Sequence, residues 1–257
     1  MTESMRTTVL FLVTAISIVW VFSLSPIAQD LGYHNFSDKR GLFNIPNFGD
    51  VASNLFFILF GVTGMLCVYG FKKEFFSMRS ERLLWKIFFI GVICVGFGSG
   101  YYHLEPNNQT LVWDRLPMTV AFMSFFSLVI MERIDEKLGI ALLPILLTIG
   151  VGSVFYWSYT ESQGQGDLRL YGLVQFLPML LMPLMFWMYS GRYSGVKFLG
   201  YVIVWYASAK VFEYFDAAIF ELTSNTVSGH TIKHIAASIS IYMMLKYIQN
   251  RKIINQI

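Results

Sequence analysis

Ser99, His103 and Asp114 fall within GSGYYHLEPNNQTLVWDRLPM, residues 98–118, and His230 and His234 fall within SGHTIKHIAA, residues 228–237. Ser99 and His103 stand four apart, as do His230 and His234, so each pair shares one face of a helix. Three imidazoles can then converge from two helices. Three neutral nitrogen donors with one position left open form the ligand set of a hydrolytic zinc site, and no carboxylate accompanies them in the facial pattern that favours iron. A metal there would polarise a carbonyl and activate water, Asp114 could move the proton, and Ser99 could donate to a developing oxyanion or orient a ligand. Three structural alternatives stand beside this. The histidines could hydrogen-bond across a bundle, Ser99 could be a small packing residue, and Asp114 could cap a helix beginning at Arg115.

The elements that must hold these groups are membrane helices. The chain is 257 residues long, 55% hydrophobic and 14% charged, with 24 phenylalanines, which excludes an ordinary soluble surface. Eight apolar stretches are readable, at about 7–25, 51–71, 83–101, 115–131, 139–159, 170–189, 196–218 and 229–248, most near the roughly 20 residues that cross a bilayer. The expected fold is therefore all-α, a polytopic helical bundle with a seven-helix core and one extra N-terminal helix. Residues 1–30 read as an uncleaved anchor helix rather than a signal peptide, and 31–257 as the core.

Charge placement orients the bundle. Arg6, Lys72, Lys73, Arg79, Arg82, Lys86, Arg133, Lys137, Arg192, Lys197, Lys246, Arg251 and Lys252 fall on one side, against Lys39, Arg40, Arg115 and Arg169 on the other. The positive-inside rule then makes both termini cytoplasmic and puts the histidines at the outer end, in a plasma membrane or bacterial inner membrane. The net charge of +3 needs only anionic lipid as a partner, not nucleic acid. Cys67 and Cys94 lie inside apolar spans and read as packing residues. Tyr101, Tyr102, Trp113, Tyr156, Trp157 and Tyr159 read as an interfacial aromatic belt, and His34 as an ordinary loop histidine.

Lys210, Glu213 and Asp216 follow i,i+3 spacing on the seventh stretch. Charges in a membrane segment must face protein and find partners, so these form a second shell to the metal or a structural ion network. Lys233 either snorkels outward or is neutralised by a carboxylate. Ser53 and Asn54 are expected to supply cross-helix hydrogen bonds. The same intramembrane charges could serve an ion-coupled transporter, although the chain has no inverted repeat to support one.

The quoted motifs carry a resemblance. A serine four residues before a histidine, an aspartate eleven after it followed by Leu116-Pro117-Met118, and the late HxxxH resemble the alkaline ceramidase family, within the superfamily of seven-helix membrane hydrolases that includes adiponectin-receptor-like proteins. PNFGDVASNLFFILFG, from Pro46 to Gly61, resembles that family's first core helix. The resemblance implies Zn2+ on His103, His230 and His234, roles for Ser99 and Asp114 in catalysis, and hydrolysis of a ceramide-like lipid amide. A lipid ester is the alternative substrate. NFSDKRGLFNIPNFGD, residues 35–50, stands where relatives carry an acidic calcium-binding stretch. With Asn47 in place of an acid and Lys39 and Arg40 beside it, Ca2+ is doubtful, and Asp38 and Asp50 are the candidates for it.

Overall fold

A computed structural model describes residues 1–70, 76 and 78–254, apart from the Arg79 side chain. Lys72 and Lys73, expected on the cytoplasmic side, lie outside the described residues. The helices are α1 (Glu3–Ser23), α2 (Phe48–Ser53), α3 (Leu55–Gly70), α4 (Arg79–Leu104), α5 (Asn108–Arg133), α6 (Glu136–Ser162), α7 (Arg169–Met188), α8 (Val196–Tyr214), α9 (Asp216–Leu222) and α10 (Gly229–Asn250). This is an all-α, multi-pass bundle. Among the described residues, six segments are long and apolar enough to span a membrane: α1, α2 with α3, α4, α5, α6 and α7. α8 and α10, which carry the lysines, Glu213 and two histidines, are not among the six.

The outside of the bundle is as apolar as its core. Phe11, Val19, Leu66, Phe97, Trp187 and Val204 are all more than half exposed, a surface that only lipid satisfies. Inside, one apolar cluster centred on Trp85, Phe89, Leu128 and Ile248 fills most of the bundle. A smaller one, including Phe36, Tyr102, Leu111 and Trp157, lies around the loop 24–47. Tyr102 and Trp157 are therefore core residues, not part of an interfacial belt. Their rings pack inward, while Tyr101, Trp113, Tyr156 and Tyr159 remain exposed.

Two sites of close backbone approach set the geometry at the histidine end. At Gly98 on α4, an added Cβ would lie 2.0 Å from the carbonyl oxygen of Trp113 on α5. Pro117 has no N–H to offer that same carbonyl, four residues back, so α4 can press against α5 at this point. At Gly229 an added Cβ would meet the Phe212 carbonyl at 2.4 Å, which seats the start of α10 against the end of α8.

α5 begins earlier than its hydrophobicity indicates. Asn107 caps it, accepting from the N–H groups of Gln109 and Thr110, while the Thr110 hydroxyl accepts from the Asn107 N–H. Asp114 is thus an interior residue in the second turn, and its expected alternative as an N-cap is corrected. The seventh apolar stretch also differs, because the chain breaks at Phe215. Lys210 and Glu213 share α8, whereas Asp216 opens α9 and accepts from the backbone N–H groups of His230 and Ser37 rather than joining that pair.

At the opposite end, Arg251 is fully buried rather than solvated. It pairs with Glu81 and, at 2.9 Å, with Glu132, and its guanidinium lies 4.0 Å from the Tyr193 ring centre. Tyr193 and Tyr247 donate to Glu81 and Glu132 at 2.5 and 2.7 Å. This clasp joins α4, α5 and the end of α10.

Candidate metal centre

The last turn of α4 delivers His103 and the first two turns of α10 deliver His230 and His234. Ser228 fixes the start of α10, its hydroxyl accepting from the Thr231 N–H at 2.9 Å. All three histidines are buried, with ligand-capable atoms within 4.8 Å of one another. Their ring centres are 4.8 to 4.9 Å apart. His103 Nε2 and His230 Nε2 face each other at 3.3 Å. Two nitrogens on one tetrahedral zinc, each at about 2.0–2.1 Å, are separated by about 3.3–3.4 Å, so this spacing fits the ion. A proton shared between those two rings would leave the third imidazole outside the arrangement. One divalent cation such as zinc satisfies all three.

The tautomer of His234 follows from its partner. Ser53 Oγ donates to the Asp50 carbonyl at 3.0 Å and lies 2.8 Å from His234 Nδ1. With its proton committed, Ser53 must accept, so Nδ1 carries the hydrogen and Nε2 keeps a lone pair for the metal. His230 is held through its backbone, its N–H donating to Asp216 Oδ1 at 2.8 Å. The other Asp216 oxygen accepts from the Ser37 N–H at 3.0 Å. Asp216 thereby ties the long loop to the metal helix. Asn47, in the left-handed region at φ 48°, donates from Nδ2 to the His103 carbonyl at 2.8 Å.

That loop supplies parts that the motifs do not reveal. Phe36 covers the cluster, its ring 4.6 Å from His103 and 4.3 Å from His230. His34 is an anchor rather than a surface residue, with one nitrogen 2.8 Å from the Tyr102 hydroxyl and the other 2.8 Å from Asn108 Oδ1. The segment is rich in polar residues, has no helical period and carries no motif that singles out Phe36 or His34.

Asp114 and Ser99 are brought together beside the histidines, with Ser99 within hydrogen-bonding reach of the Asp114 carboxylate. Both line an internal cavity of about 260 Å³ that also touches His234. Lys210 and Glu213 pair at 2.7 Å, and Lys233 reaches the other oxygen of Glu213 at 2.5 Å. Lys233 therefore points into protein. Its Nζ stands 3.4 Å from His230 Nε2, so Glu213 holds the ammonium beside the metal cluster.

Of the calcium candidates, Asp38 is fully engaged, whereas Asp50 is engaged through Oδ1 and its Oδ2 has no hydrogen-bond partner. Arg40 takes both oxygens of Asp38, at 2.8 and 2.7 Å, and its hydrogen bonds hold the Asp38 carboxyl below the usual carboxylate range. Asp50 Oδ1 accepts from the hydroxyls of Ser228 and Thr231. Among the described residues, the three histidines are the group assembled to hold a metal.

Comparison with known families now decides the membership. The family described as Ceramidase matches residues 44–256. The chain belongs to the ceramidase family. No curated protein matches it. The match takes in every residue of the metal cluster and begins after α1, which stands outside it. Ceramidase membership and the buried three-histidine cluster together identify a zinc-dependent membrane hydrolase acting on the amide bond of a ceramide-like lipid.

Proposed function

We propose that His103, His230 and His234 hold the zinc, that Asp114 is the proton carrier and that Ser99 positions it. Bound there, the ion supplies Lewis acidity toward the amide carbonyl and toward water. Asp114 takes a proton from the attacking water and returns it to the amide nitrogen as the C–N bond breaks, giving a fatty acid and a long-chain amine. Ser99, on the neighbouring helix, holds that carboxylate toward the cavity. Phe36 limits bulk water at the covered side, which keeps the charges effective.

The observation that carries this reading is the continuity of the cavity. It is lined by Asp114, Ser99 and His234, by the cations Arg115, Lys210 and Lys233, and otherwise largely by apolar side chains such as Phe125, Met179, Met182, Ile241 and Met244. An acyl chain lying among them presents its carbonyl to the histidines. The same apolar lining argues against an ion path from Lys210 to the other side. α7 and α8 face each other across this cavity, while α8 packs on α10 and α7 on α1, α5 and α6, an arrangement suited to lateral entry from the bilayer.

In this reading α8 and α10 also cross the membrane, which completes seven core helices, with α2 and α3 as the first of them and α1 as an added anchor. Both termini lie in the cytoplasm and the zinc faces the outer side. The deciding experiment incubates purified protein with ceramides and phospholipid esters, with and without a chelator, and identifies products by mass. Chelator-sensitive release of sphingoid base and fatty acid is expected. Release of fatty acid from the esters alone would replace the amidase reading with an esterase.

A further inference from the structure

Arg115 follows Asp114 directly, yet it is built into the same cavity for no purpose that hydrolysis requires. It is only 6% exposed and lines the cavity wall. Its guanidinium stacks between aromatic rings, 4.3 Å from the centre of Trp157 and 4.7 Å from that of Tyr171. One terminal nitrogen donates to Gln29 Oε1 at 2.6 Å, and the other, Nη1, is buried with no hydrogen-bond partner. The Gln29 N–H in turn donates to Glu161 Oε1 at 2.9 Å. No ion pair among the described residues includes Arg115.

Asp114 acts on Arg115 through space without forming an ion pair with it. A buried cation with no direct ion-pair partner is costly, more so in a membrane protein, and a ligand can complete the pair. The surroundings add to the excess of positive charge. Lys210 and Lys233 also line the cavity and share the single carboxylate Glu213. Tyr33 spans the two groups, its ring 5.9 Å from the Arg115 guanidinium carbon and its hydroxyl 3.4 Å from Glu213. Three cations thus stand against Glu213 and Asp114. A divalent ion on three neutral imidazoles raises the excess further.

We propose that this polar lobe is a subsite for an anionic group on the amine half of the lipid, a carboxylate, sulfonate or phosphate held by Arg115 and attracted by Lys210 and Lys233. The substrate class is then an N-acyl lipid with an acidic amine portion, its acyl chain in the apolar part of the cavity and its amide at the histidines. The proposal rests on the hydrolase reading for the position of the amide. The recognition of the anion rests on Arg115 itself.

The test compares N-palmitoylglycine and N-palmitoyltaurine with two neutral amides, N-palmitoylethanolamine and a palmitoyl ceramide. Two quantities are read: kcat/KM with the zinc-loaded protein, and equilibrium binding to the zinc-free protein. The anionic amides should exceed the neutral ones by about tenfold or more in both. Arg115→Met should lower the anionic-to-neutral ratio roughly tenfold to a hundredfold, as expected for loss of a charge-assisted bond. Equal or better use of the neutral amides, or a ratio unmoved in Arg115→Met, overturns the subsite. If Arg115→Met does not fold, the ratio in Lys210→Met decides: a fall of about threefold or more supports the proposal and an unmoved ratio overturns it. Absence of cleavage on every amide would defeat the hydrolase reading, while a binding preference for the acidic amides would still uphold the anion site.

Discussion

Replacing Ser53 with alanine tests the metal centre without touching a ligand. Ser53 Oγ donates to the Asp50 carbonyl, and only its lone pair is left for His234, 2.8 Å away. In Ser53→Ala the Nδ1 hydrogen of His234 loses its hydroxyl acceptor inside a buried site and keeps only the Asp50 backbone, so the ring is held less firmly in the tautomer that leaves Nε2 free. Loss of such an outer partner typically weakens metal binding 10–100-fold, or about 1.4–2.7 kcal/mol at about 1.4 kcal/mol per tenfold. The accompanying structural cost is smaller. The hydroxyl's bond to Asp50 is local, within one turn of α2, and a neutral bond of that kind contributes about 1 kcal/mol. Competition against a chromophoric chelator gives the zinc affinity, and circular dichroism during heating gives the stability. The expected result is a marked affinity loss with near-parental helicity, and Asn54→Ala, whose amide donates to the same Asp50 carbonyl without reaching a histidine, is the control. Parental zinc affinity in Ser53→Ala would refute the assignment of His234 Nε2 as a ligand.

Asp114→Asn should keep its zinc and fold while losing roughly 10²–10⁴-fold in turnover, because an amide is a poor proton carrier; a parental hydrolysis rate would transfer the role to another group. Gly98→Ala should cost about 1–3 kcal/mol or more in thermal unfolding, since its methyl would collide with backbone at Trp113, and an unchanged melting temperature would show that α4 and α5 can separate there freely. Arg251→Met should destabilise by about 3–5 kcal/mol by stranding Glu81 and Glu132, and Glu81→Gln in the same chain should recover part of that loss. For the orientation, a cysteine at Gln163 should react with an impermeant thiol reagent in intact cells and one at Lys137 only after membrane disruption, and the reverse pattern would place the zinc on the cytoplasmic side.

The histidine cluster was legible in the sequence because a helix converts a spacing of four into a shared face, and because three histidines and an aspartate occurred at matching ends of apolar segments. What escaped was whatever hydrophobicity does not encode. Residues 108–114 are mostly polar, so the first two turns of α5 read as loop, and with them the interior position of Asp114. Only the reciprocal bonds of Asn107 and Thr110 reveal the true start. The break at Phe215 was hidden for the opposite reason, since the chain stays apolar through Phe220 while the helix ends and restarts.

Contacts between distant segments were the least accessible. Arg251 was readable only as one of the basic residues on the cytoplasmic side, because its partners, Glu81 and Glu132, lie well over a hundred residues away and on different helices. The loop 24–47 has no period to read, yet it provides Phe36 over the histidines, Ser37 on Asp216 and Tyr33 between Arg115 and Glu213. Those three contacts have a common consequence. The helices carry the three clustered histidines, Ser99 and Asp114, whereas the loop closes the cluster and borders the charged lobe beside it. The loop thus contributes Tyr33 to a lobe whose charged groups, Arg115, Lys210 and Lys233, stand on α5, α8 and α10, and a change in the loop is expected to reshape that lobe while the three histidines stay where α4 and α10 put them.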